Sequence, residues 1–145
     1  MILPGQTIGI LGGGQLGRFI AIEARLMGYK TVVLDPTPGS PAAQVCDRHI
    51  KAPINDENAA LELARLSDIV TLEWELIDAR ILEKIEAIKL LSPASKILKI
   101  IQDRLTQKNF LNTGSFPQTP YAAVSNARQL EEATSTIKFP CILKR

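Results

Sequence analysis

Three consecutive glycines, Gly12 to Gly14, stand between a short apolar run, Gln6 to Leu11 (QTIGIL), and a stretch with helical spacing; a fourth glycine follows at Gly17. Few architectures accept such a sequence. The run before the glycines is apolar and rich in β-branched residues, as a strand buried on both faces requires. From Gln15 to Met27 the apolar residues Leu16, Phe19, Ile20, Ala24 and Met27 recur at helical spacing. Gly28 sits where a helix C-terminus favours glycine. Thr31 to Leu34 (TVVL) supplies a second strand, closed by Asp35 and Pro36. Strand, crossover helix and strand make a βαβ unit, right-handed by the general rule.

The pattern continues in the same style. Thr37 to Pro41 (TPGSP) is a turn-rich loop, followed by a weak strand around Arg48 to Ala52. A helix is predicted from about Glu57 to Leu66, with Asn55 or Asp56 as its N-cap. Asp68 to Leu72 (DIVTL) is a strand leading directly into Glu73-Trp74-Glu75. Asp78 to Ala87 reads as a helix, Ile88 to Leu91 as a short strand, and Ser92-Pro93 as the entry to another helix. Strands alternating with helices predict an α/β fold with a Rossmann-like parallel sheet.

Beyond Pro93 the pattern changes. Ile97, Ile101 and Leu105 share one helix face, and Arg104 and Lys108 share another. Phe116 to Tyr121 (FPQTPY) is a proline-marked connection, followed by a strand, a helix over about Asn126 to Thr136, and a final strand, Cys141 to Lys144. The sequence stops at Arg145 in mid-strand, so a truncated second domain is expected. The predicted organisation is a first domain over residues 1–93 and a second, incomplete one over 94–145.

Composition removes several functions. The net charge is +2 with Lys and Arg scattered, and aromatics make up only 5%, so neither a basic face nor a stacking platform for nucleic acid is expected. Cys46 and Cys141 lie far apart and fit no metal or redox spacing; two reduced, partly buried thiols are expected. His49 is the only histidine, too little with Cys46 for a zinc site. No signal-peptide pattern or long apolar span is seen, giving the expectation of a soluble, cytoplasmic protein without membrane partners.

Gly12, Gly14 and Gly17 satisfy G-x-G-x-x-G after a strand and before a helix, and Asp35 ends the second strand where a ribose-binding acid belongs in a dinucleotide fold. Those facts alone favour a nicotinamide- or flavin-dependent enzyme, or simply a sharp turn. The neighbouring residues point elsewhere. Gly-Gly-Gly-Gln-Leu-Gly-Arg (Gly12 to Arg18), Val-Leu-Asp-Pro (Val33 to Pro36) and Pro-Ala-Ala-Gln-Val-Cys-Asp (Pro41 to Asp47) resemble the purine-pathway ATP-grasp ligases, specifically the ATP-dependent carboxylases of aminoimidazole ribonucleotide. Thr71 to Glu75 resembles their T-x-E-F/W-E segment, and Gln102-Asp103-Arg104 with Lys108 their Q-D-R-x-x-x-K helix. Ser92-Pro93 matches their P-S-P entry, with Leu91 in place of the first proline, and Leu143-Lys144 the first ATP-grasp strand. Leu76 departs from the family, which often has Asn there.

The resemblance implies a Rossmann-like pre-ATP-grasp domain followed by the start of an ATP-grasp domain. It implies an enzyme that uses ATP and Mg²⁺ to carboxylate aminoimidazole ribonucleotide with bicarbonate, by way of carboxyphosphate, within a homodimer. Gly14, Gln15, Leu16 and Glu73 would meet the ribonucleotide, with Glu73 accepting from its amino group or ribose. Arg104 and Lys144 would meet ATP, while most Mg²⁺ and phosphate ligands of the family come after the equivalent of Arg145. A fragment so cut would not catalyse the reaction itself. Asp35 is left as a turn or cap residue. The competing readings are bland: a solvated pair for Glu73 and Glu75, and a solvated helix face for Arg104. Lys144, in an apolar strand, would need a charged partner. Three further functions remain open: a nicotinamide-dependent oxidoreductase, a non-catalytic regulatory domain, and the formate-dependent glycinamide ribonucleotide transformylases, which usually have Glu in place of Gln15.

Overall fold

The computed structural model describes residues 2–144 and divides into two compact units, Met1–Gln102 and Asp103–Arg145.

The first unit is built on five parallel strands: β1 (Thr7–Leu11), β2 (Lys30–Leu34), β3 (Arg48–Ile50), β4 (Ile69–Leu72) and β5 (Leu90–Leu91). Their order is β3-β2-β1-β4-β5. The helices between them are α1 (Gln15–Leu26), α2 (Glu57–Leu66) and α3 (Ala79–Glu86), and α4 (Ser95–Ile101) follows β5. The chain builds outward from β1 to β3 and then returns to the other side of β1 with β4. The switch point therefore lies between β1 and β4, where α/β sheets usually hold ligands.

Alternation along the strands explains the two cores. Leu11, Val32, Leu34, Val70 and Leu91 face one side and pack with Leu63 of α2, Leu82 and Ile85 of α3, and Leu98 of α4. Ile10 and Val33 face the other side and pack with Ala21 of α1 and with Ala42. Gly9 lets α2 approach β1 closely, since a methyl group there would lie 2.7 Å from Leu63 Cδ2. Asp56 caps α2 by accepting from Ala59 N at 3.0 Å, and Asp78 caps α3 by accepting from Arg80 N at 2.9 Å. Gly28 has φ +82°, which ends α1 in a conformation that glycine adopts readily. The division after Gln102 comes later than the expected boundary at 93 because Leu98 is fully buried in the first core.

In the second unit, α5 (Arg104–Thr113) and α6 (Ala127–Thr136) carry no buried residue. Asp103 caps α5 by accepting from Thr106 N at 2.6 Å, and Asn126 caps α6 by accepting from Gln129 N at 2.9 Å. Two expectations are corrected here. Ile97, Ile101 and Leu105 do not share one helix, because the capping turn at Gln102-Asp103 separates α4 from α5. Neither the segment before Asn126 nor Cys141 to Lys144 is a strand: extended chain needs a ladder partner to become one, and none pairs with them among the described residues.

Candidate functional site

Strand register assembles the site. Leu11 of β1 pairs with Leu34 of β2 on one side and Leu72 of β4 on the other. The next residues are therefore neighbours: Gly12 leaves the sheet between Asp35 and Glu73. Gly12 has φ +102°, a region that side chains rarely tolerate, and donates to Leu34 O at 3.0 Å.

Each of the next two glycines meets a carboxylate. Gly13 N donates to Asp35 Oδ2 at 2.8 Å, and Gly14 N donates to Glu73 Oε2 at 3.0 Å. The missing side chains make room for these acids. A methyl group at Gly14 would lie 2.5 Å from Glu73 Oε1; one at Gly12 would lie 2.7 Å from Oε2. One at Gly13 would lie 2.7 Å from Asp35 Cβ and 2.5 Å from Ser40 Oγ. Gly17 serves packing within the turn, since a methyl group there would lie 2.6 Å from Gly12 O.

Asp35 is the turn residue expected. Its Oδ1 accepts from Thr37 N at 2.8 Å, and its backbone carbonyl lies 2.9 Å from His49 Nε2. One of its oxygens thus accepts from Thr37 and the other from Gly13, so both hold the turn backbone. His49 is a positioned structural histidine. Ser40 is buried, and its hydroxyl has no hydrogen-bond partner among the described residues.

Of the expected substrate residues, Gly14 and Glu73 are brought together directly. Gln15 and Leu16 open α1 beside them, exposed to solvent, and no side chain caps this helix. The first-turn N–H groups of such a helix end point outward with the positive end of its dipole. Glu73 uses Oε2 for Gly14, and its Oε1 has no hydrogen-bond partner among the described residues. The segment after it is tied down by Gln102, whose Nε2 donates to Glu75 O at 2.7 Å and Ile77 O at 2.8 Å. That tether escaped the sequence reading, where Gln102 was one letter of a motif. Leu76 is exposed beside it, with Asn55, Ile77, Asp78 and Gln102 around an open depression.

The expected ATP residues lie in the second unit. Arg104 donates to Gln107 Oε1 within its own helix, and Lys108 bonds Thr119 Oγ1 at 3.0 Å, with its ammonium 5.4 Å from the Tyr121 ring centre. Lys144 is exposed, which corrects the expectation that an apolar strand would bury it. Of the two thiols, Cys46 is half-buried, and burial pushes its pKa up; Cys141 is exposed rather than partly buried. No helix among the described residues is long and apolar enough to cross a membrane.

A parallel sheet with a glycine turn at the end of β1, and with strand-end acids folded into that turn, defines a Rossmann-like α/β domain. The chain belongs to the ribonucleotide synthetase preATP-grasp domain family, whose profile matches residues 5–102. It is 40% identical over 144 residues to N5-carboxyaminoimidazole ribonucleotide synthase of Bacillus subtilis, matching 99% of this chain and 38% of that protein. It is also similar to a crystal structure of an ADP complex of N5-carboxyaminoimidazole ribonucleotide synthetase, with TM-score 0.90 and 47% identity, over 97% of this chain and 37% of that one. A third likeness is to the Aspergillus clavatus synthase in complex with ADP and 5-aminoimidazole ribonucleotide, with TM-score 0.85 and 27% identity, over 96% of this chain and 38% of that one. The chain thus spans about 38% of the length of its curated relatives.

Proposed function

We propose that this chain is the substrate-binding front part of an ATP-dependent carbon–nitrogen ligase that carboxylates 5-aminoimidazole ribonucleotide with bicarbonate. The product would be N5-carboxyaminoimidazole ribonucleotide, an intermediate of purine biosynthesis. The observation that carries the reading is the Glu73–Gly14 bond at the switch point. It fixes the carboxylate and leaves Oε1 to accept from an amine or ribose hydroxyl. A carboxylate accepts from both, and a charge-assisted hydrogen bond of this kind is stronger than a neutral one. Gln15 can donate and accept through its side-chain amide, while the exposed Leu16 offers an apolar surface and a first-turn N–H.

ATP, when bound, would supply the phosphoryl group that activates bicarbonate. Arg104 and Lys144 are exposed cations, a donor type that suits phosphate oxygens. Mg²⁺ is another matter. It would accompany ATP, and no group of three His, Cys, Asp or Glu side chains is placed to hold it among the described residues. The cytoplasmic location and homodimeric assembly of the parent enzyme belong to the same proposal.

The test is calorimetric titration of the chain with 5-aminoimidazole ribonucleotide. Heat that is present with the native sequence and lost in Glu73→Gln is expected. Equal heat in both, in a variant with unchanged circular dichroism, would remove Glu73 from the site.

A further inference from the structure

A glycine turn that opens a helix ordinarily serves as an anion cradle, its backbone N–H groups left free for phosphate. Here two amides of the cradle are taken from within. The Gly13 and Gly14 N–H groups point at Asp35 Oδ2 and Glu73 Oε2. The volumes opened by the absent side chains of Gly12, Gly13 and Gly14 are occupied by the same two carboxylates and by Ser40 Oγ. A phosphate approaching the first-turn N–H groups of α1 meets two negative charges beside them.

We propose that Asp35 and Glu73 are built-in anions that decide what the turn accepts. They take up the Gly13 and Gly14 amides and set two carboxylates beside the free first-turn N–H groups of α1, so the turn disfavours dinucleotides and free polyphosphates despite carrying their sequence fingerprint. Ligands are selected instead by the hydrogen-bond donors they offer. This assignment is independent of the substrate proposed above: it concerns pyrophosphate and NADH, and it stands or falls on different titrations.

The consequence is that removing the two acids creates an anion site. Trimming both side chains frees the N–H groups of Gly13 and Gly14 and opens space beside Ser40, whose hydroxyl has no partner among the described residues and becomes a further donor. The experiment compares the native chain with Asp35→Ala/Glu73→Ala by titration with inorganic pyrophosphate and with NADH. A control pair, Glu23→Ala/Glu75→Ala, removes the same charge from exposed side chains that do not bond the turn. The native chain and the control pair should show no binding at millimolar ligand. The test pair should bind pyrophosphate about tenfold tighter or more, as expected when at least one charge-assisted hydrogen bond is gained. Should the alanine pair fail to fold, Asp35→Asn/Glu73→Gln keeps the shape of both side chains and removes the charge, with a smaller gain expected. A folded test pair that gains no pyrophosphate affinity over the native chain overturns the proposal, and so does an equal gain in the control pair.

Discussion

The two units use the same local code and reach different ends. Asp56 and Asp78 start α2 and α3 in the first unit, as Asp103 and Asn126 start α5 and α6 in the second. Yet α2 and α3 bury Ala60, Leu63, Leu82 and Ile85 completely, while α5 and α6 bury nothing. A cap determines where a helix begins; a sheet determines what the helix is worth. In the first unit five strands give each apolar stripe a floor. In the second the contacts are polar, such as Tyr121 Oη donating to Asn109 Oδ1 at 2.8 Å and Gln118 Nε2 to Lys108 O at 3.1 Å.

The largest expected difference lies in core truncation. Leu63→Ala leaves a void among α2, β1 and the neighbouring helices and should destabilise the first unit by about 2–5 kcal/mol. Leu130→Ala, on a side chain 36% exposed in α6, should change stability by less than about 1 kcal/mol. Urea denaturation followed by tryptophan fluorescence and circular dichroism measures the first, and amide exchange within α6 measures the second. Comparable losses at both sites would dissolve the distinction between the units.

Cap removal sharpens it. Asp56→Ala and Asn126→Ala each delete one side-chain acceptor at a helix start, which costs about 1 kcal/mol in a typical protein. In the first unit the loss should appear in global unfolding, because α2 is held in the cooperative core. In the second it should appear as faster exchange over the first turn of α6, with the global midpoint unmoved.

The same contrast accounts for what could be read from the sequence. Helices were legible in both units, because caps such as Asp56 and stripes such as Leu63 and Leu66 are local. The buried strands were legible where β-branched runs end at glycine or aspartate. Cys141 to Lys144 looked like a strand by composition and is not one, since a ladder is a property of two segments. In the site, Gly14, Gln15 and Glu73 could be nominated from motifs. That Gly14 donates to Glu73 could not, because it depends on the register of Leu11 with Leu72. Asp35 was legible as a turn residue, while its second bond to Gly13 follows from the pairing of Leu11 with Leu34.

Acid should test one cap in each unit. Asp78 is held down to about 2, chiefly by the side-chain hydrogen bonds from Arg80 and then by the Arg80 backbone N–H. Asp103 is lowered through its bond to Thr106. A carboxylate whose folded pKa lies below its ordinary value stabilises the fold above that ordinary value, and the contribution fades as pH falls toward the folded pKa. The window for Asp78 therefore runs from about 4 down to about 2. Carboxyl chemical shifts followed through this range should show Asp78 titrating near the lower end, and Asp78→Asn should flatten that part of the acid-stability profile. A normal titration point for Asp78 would show that Arg80, which is exposed, does not hold it in solution.

The smallest effect is kinetic and needs no variant. Each unit carries one free thiol: Cys46 is half-buried beside the first core's second cluster, and Cys141 is exposed. Burial raises the pKa of Cys46, and its Sγ lies 3.7 Å from Ala43 O. Because the thiolate is the reacting species, a raised pKa lowers the reactive fraction at any pH below it and moves the rate profile upward. Burial slows access as well. Near neutral pH, a thiol-specific reagent should therefore label Cys141 in a fast phase and Cys46 in a slow one. Urea below the global transition should leave the slow phase in place if the first unit opens only as a whole. A Cys46 rate that rises smoothly with urea from the start would mean that the segment after β2 opens locally, and that part of the first unit behaves like the second.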